Sequence, residues 1–141
     1  MPIQYVLLPL FVQVLLTFCL YGWMAYHRVS LIRGGAVSPR DVALREPNWP
    51  PRVLQISNAV HNQLELPLLF YVLTILAIMT RHADVLFVVM AWIFVLSRVA
   101  HAYVHVTSNR LQVRGPVFGL GLLVLFLMWL IFIVRILAGL P

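Results

Sequence analysis

VLFVVMAWIFVLSRVAHAYVHV, Val85–Val106, is a run of 22 residues whose strongly polar members are Ser97, Arg98, His101 and His105. About 20 apolar residues suffice to carry a helix across the hydrocarbon of a bilayer, so this segment reads as a transmembrane span. A charge inside such a span is expensive, and polar side chains there face the bundle interior or a wet cavity. Arg98, His101, His105 and Asn109 recur at i, i+3, i+7 and i+11, which puts them on one stripe of a helix.

Before this segment, the short stretch from Thr80 to Asp84 separates it from another run, about Val53 to Met79. That run is apolar in its second half and carries Asn58, His61, Asn62 and Glu65 at i, i+3, i+4 and i+7, followed by Pro67. The short turn makes the two spans antiparallel neighbours, and their polar stripes are expected to face each other. After it, about Pro116 to Leu140 is almost wholly Leu, Ile, Val, Phe and Gly, with Pro116 suited to the first position of a helix. The first run, about Ile3 to Tyr26, is too long for the apolar core of a signal peptide and has no basic segment before it, so it is expected to remain as a span. The long connection from Arg28 to Arg52 holds Gly34, Gly35, Pro39, Pro47, Pro50 and Pro51, with Trp49 expected as an interfacial anchor.

The expected fold class is therefore all-α and integral to the membrane: a four-helix bundle forming one domain over 1–141, with spans about 3–26, 53–79, 85–106 and 116–140. Composition agrees, since 62% of the 141 residues are hydrophobic, 10% are charged and the mean hydropathy is +0.96. Soluble domains run at roughly 45–50% apolar and about 25% charged, and four spans leave no length for a separate soluble catalytic domain.

All ten basic residues are arginine, and with four acids the formal net charge is +6. They lie mostly beside apolar runs, a pattern of membrane topology and anionic lipid or ligand rather than of nucleic-acid binding. The first and third connections hold seven of them, Arg28, Arg33, Arg40, Arg45, Arg52, Arg110 and Arg114, against Arg81 and Arg135 on the other side. The bias places those two connections in the cytoplasm and both termini outside it. The single cysteine, Cys19, builds neither a disulfide framework nor a thiolate metal site within one chain.

Helical rise puts Glu65 and Arg98 at matching depths from the basic side, so an ion pair between them is expected at the floor of a funnel. His61, His101, His105, Arg110 and Arg114 follow toward its mouth. Each feature has a plainer alternative. The pair can be glue between helices. His101 and His105 with His61 and Glu65 can hold a metal, a weak signal without a third ligand at a recognised spacing, and no metal is expected. Gly115, Gly119 and Gly121 suit close helix packing, and Arg110 and Arg114 can be topology signals alone.

Asn62-Gln63-Leu64-Glu65 with Pro67, and Ser97-Arg98-Val99-Ala100-His101-Ala102 with Asn109-Arg110 and Arg114, closely resemble the MAPEG family, membrane-associated proteins in eicosanoid and glutathione metabolism, here of a bacterial type whose membrane would be the inner one. The resemblance implies a left-handed four-helix bundle assembled as a homotrimer, with glutathione as co-substrate at sites between subunits near the cytoplasmic side. It implies that Asn62, Glu65, Arg98 and His101 contact glutathione, with Arg28, His61, His105 and Arg110 as further contacts and Arg114 as the arginine that stabilises the thiolate. Where prostaglandin synthase-like members carry Arg, Arg and Tyr, this chain has Asn58, His61 and His105, and Gly115 stands where they have a serine that assists the thiol. Two functions follow: a glutathione-dependent transferase or peroxidase acting on lipophilic electrophiles, or a non-enzymatic membrane lipid-binding or scaffold protein.

Overall fold

The computed structural model describes residues 2–43, 48–108 and 111–141, and all regular structure among them is helical. Four long helices, α1 (Ile3–Arg33), α3 (Pro51–Met79), α4 (Val85–Val106) and α5 (Leu111–Leu137), are each long and apolar enough to cross a membrane. A single-turn helix, α2 (Pro39–Val42), lies in the first connection.

The ends of the long helices explain where the chain turns. α1 runs on past Tyr26, where the apolar stretch ends, to Arg33, and there Gly35 takes φ +77° while its N–H and that of Ala36 bond back to Ile32 and Leu31. This is a Schellman cap, which needs a left-handed residue after the helix and satisfies carbonyls that would otherwise be orphaned. α5 ends the same way at Gly139, φ +66°. α3 ends with the same bonding at Arg81, φ 61°, a side chain in a conformation that glycine adopts without penalty. The tight turn from α3 to α4 is thus bought with local strain. Asp84 then caps α4 by accepting from the Phe87 N–H at 3.0 Å, and it meets Arg135 of α5 at 2.9 Å. Burial pushes the Asp84 carboxyl up, but the Phe87 N–H and the Arg135 guanidinium outweigh it and hold the carboxyl below its ordinary value.

Two departures from the sequence reading have simple causes. α5 begins at Leu111, so Pro116 lies inside the helix instead of opening it. As the sixth residue of α5 it lies beyond the four N–H groups that a helix start leaves open, so it removes the bond to the Gln112 carbonyl. Trp49 is not an exposed anchor: it is 8% exposed, packed with Val37 and Val53, and covered by the Arg28 guanidinium 5.1 Å from its ring centre.

α4 packs along α5, α1 packs along both α3 and α4, and α3 also meets α4 and α5. α4 and α5 approach closely at Gly121, where a Cβ would stand 2.8 Å from the Ser97 hydroxyl oxygen. One apolar cluster, with Phe70, Leu73, Ala91, Phe94 and Leu125, fills the end of the bundle at the α3–α4 turn. A second, with Leu20, Ile56, Ala59 and Ala102, lies toward the basic end. Between them lie the buried polar Gln13 and Gln63, bonded at 2.7 Å, with Ser97 and Arg98, and the buried His101 and His105 continue this layer beside the second cluster. The site is built on that layer.

Candidate functional site

The α4 stripe is buried as the period predicts, with Arg98 at 1%, His101 at 3% and His105 at 5% exposure. The α3 stripe behaves differently. Asn62 turns inward, whereas Asn58, His61 and Glu65 are exposed in the single chain. The two stripes meet where Asn62 Nδ2 lies 3.3 Å from His105 Nδ1.

The expected Glu65–Arg98 ion pair is not formed. The Arg98 guanidinium donates instead to the Asn62 carbonyl at 3.2 Å, and its plane lies 5.8 Å from the Phe118 ring centre. Its Nε and Nη1 have no hydrogen-bond partner among the described residues. The reason is register: Arg98 is level with Asn62, about 4.5 Å, nearly one turn, short of Glu65. The two opposite charges still attract through space.

Asn58, His61, Asn62 and Glu65 of α3, His101 and His105 of α4, and Arg114, Gly115 and Phe118 of α5 line one open cleft of about 510 Å³. Arg98 sits behind its wall, screened by Asn62 and Phe118. Arg28 is placed elsewhere, donating to the Ser57 hydroxyl at 2.9 Å and lining a separate cavity of about 360 Å³ between α1 and α3, which shares Asn58 and His61 with the cleft. Arg110 and Asn109 lie outside the described residues. Among the described residues no three His, Cys, Asp or Glu side chains gather as a metal set.

The cleft is held in shape at its basic end by α3 side chains that cap α4. Gln55 donates to the His105 carbonyl at 2.6 Å and to that of Thr107 at 3.1 Å, and Arg52 donates to the Val106 carbonyl. These bonds satisfy carbonyls that a helix C-terminus leaves open. Gln55 was not among the residues singled out from sequence, although it continues the Asn58, Asn62 stripe by one turn. Phe118, also passed over, contacts the His101 ring at 5.5 Å and closes the cleft from α5, one turn beyond Arg114.

Helices of this length around a buried polar layer, with a cleft holding Arg114 and Glu65, define a polytopic helical membrane protein with a polar intramembrane cleft. The sequence matches the model of the MAPEG family over residues 6–134, and the chain belongs to that family, an integral membrane family that includes glutathione transferases and peroxidases among other members. Nothing among curated proteins or solved structures matches it.

Proposed function

We propose that the protein is a membrane-bound, glutathione-dependent transferase or peroxidase acting on lipophilic electrophiles. The observation that carries this reading is the cleft itself: one cavity presents the Arg114 guanidinium, the Glu65 carboxylate and the donors of Asn62, His61, His101 and His105. Glutathione brings two carboxylates, an ammonium and a thiol, so Glu65 suits the ammonium and the arginines suit the carboxylates and the thiolate. A free thiol ionises with a pKa of about 8.5, and a guanidinium beside it favours the thiolate, which is the nucleophile. Arg98 acts from behind the wall by charge, Arg28 adds a guanidinium from the neighbouring cavity, and Arg110 completes the proposed set.

The assembly belongs to the same proposal. Asn58, His61 and Glu65 lie on the exposed face of a span, where hydrocarbon would leave them unsolvated. A second copy packed on α3 covers that face, and three copies in a ring cover all of them, so the working unit is a homotrimer of single-domain chains. Native mass spectrometry in mild detergent should give the trimer, and a monomer alone would refute this part.

A second reading keeps the fold without the chemistry: a lipid-binding or scaffold protein. It is favoured by Gly115, whose missing side chain leaves open space in the cleft. Glutathione titration of the purified protein, with a model aryl chloride and a lipid hydroperoxide as electrophiles, separates the two. Binding with turnover supports the transferase or peroxidase, and neither binding nor turnover supports the scaffold.

A further inference from the structure

The contacts that join α4 to α5 fix their antiparallel register. Ser97 stands against Gly121 and the His101 ring against Phe118, so His105 is level with Arg114, one turn nearer the connection. Both line the cleft, and beside them Gly115 offers no side chain, with nothing within 4 Å of where its Cβ would be. The His105 backbone is fixed by Gln55, and its ring meets His101 edge to face at 5.5 Å. Its Nδ1 lies 3.3 Å from the Asn62 amide nitrogen. With the Asn62 amide nitrogen as donor, Nδ1 is the acceptor and the ring is assigned the tautomer that carries its proton on Nε2.

We infer that His105 is a catalytic residue of the thiol site: its Nε2–H donates a hydrogen bond to the sulfur of bound glutathione, opposite the Arg114 guanidinium, in the space that Gly115 leaves open. This rests on the glutathione reading and adds to it a second thiolate ligand. A hydrogen bond to an anion is stronger than one to its neutral form, so the donor favours the thiolate over the thiol. Asn62 sets the tautomer and is a positioning residue. The other charged and titratable groups around the sulfur are His61 and Glu65 from α3, Arg98 and His101 from α4, and Arg114 from α5, while α1 presents Arg28 on the far side of α3.

The test follows the ultraviolet thiolate band of bound glutathione against pH in the intact detergent-solubilised protein, beside the affinity for S-methylglutathione, which has no ionisable sulfur. His105→Phe should lower the thiolate-to-thiol ratio of the bound glutathione on the order of ten- to a hundredfold at a given pH, a larger factor than any loss of S-methylglutathione affinity. His105→Gln, which keeps an N–H donor, should recover most of that loss. The inference is overturned if His105→Phe titrates like wild type, or if His105→Gln loses as much of the thiolate as His105→Phe while both still bind S-methylglutathione. A wild-type protein that binds S-methylglutathione and yet forms no thiolate also overturns it. Failure of wild type to bind either compound instead removes the glutathione reading on which it stands.

Discussion

Arg98 is held at 1% exposure by one hydrogen bond to a backbone carbonyl and by the face of Phe118, with Glu65 acting on it only from a distance. Pairs in direct contact inside a protein lose about 3–5 kcal/mol when one partner is removed, whereas charges that share no contact couple weakly. A double-mutant cycle of Glu65→Gln and Arg98→Leu should therefore give a coupling below about 1 kcal/mol in thermal unfolding, with Arg98→Leu alone the more damaging change. A coupling of several kcal/mol would mean that the two side chains do touch. The stripes were legible because a 3.6-residue period sorts faces without any knowledge of neighbours. The pairing was not, because counting residues from the membrane edge ignores how far each helix slides along the next, and a slip of one turn moves the partner of Arg98 from Glu65 to the Asn62 carbonyl.

Among the elements, the turn between α3 and α4 and the contact between α4 and α5 set the cleft. Arg81 occupies a left-handed position that glycine fills at the ends of α1 and α5. Arg81→Gly should raise stability by up to about 1 kcal/mol, read as a higher melting temperature, and a drop would show that the arginine contributes more than its strain takes away. Gly121 is the opposite case. An added methyl would stand 2.8 Å from the Ser97 hydroxyl oxygen but 3.8 Å from the Ser97 Cβ. Gly121→Ala should destabilise by roughly 1–3 kcal/mol, and adding Ser97→Ala should restore much of it. No recovery in the double variant would place the strain elsewhere. Gly121 was read from sequence as a packing position, and the close approach agrees. That it packs on Ser97 depends on the α4–α5 register, which a run of interchangeable leucines and valines does not encode.

For the whole molecule, four long apolar helices follow from composition and run length, since the bilayer leaves few ways to satisfy backbone groups, whereas the buried Gln13–Gln63 pair was not read from the sequence. What covers the exposed α3 stripe is less legible, because a single sequence describes one copy and the proposed cover is a second one. The expected orientation, with both termini outside the cytoplasm, rests on seven arginines on one side against two on the other. A reporter active only in the cytoplasm should stay silent when fused at Pro141, and activity there would invert the cleft.

The central claim is that Arg114 turns bound glutathione into a thiolate. Its removal should reduce turnover more than binding, because thiolate stabilisation acts along the reaction path. The most direct measurement is the ultraviolet difference spectrum on adding glutathione to wild type, Arg114→Ala and, as a neighbour control, Arg110→Ala. The thiolate band should appear in wild type, persist at weakened affinity in Arg110→Ala, and vanish in Arg114→Ala with conjugation slowed. A band of full size in Arg114→Ala, or none in wild-type protein that binds glutathione, would contradict the claim.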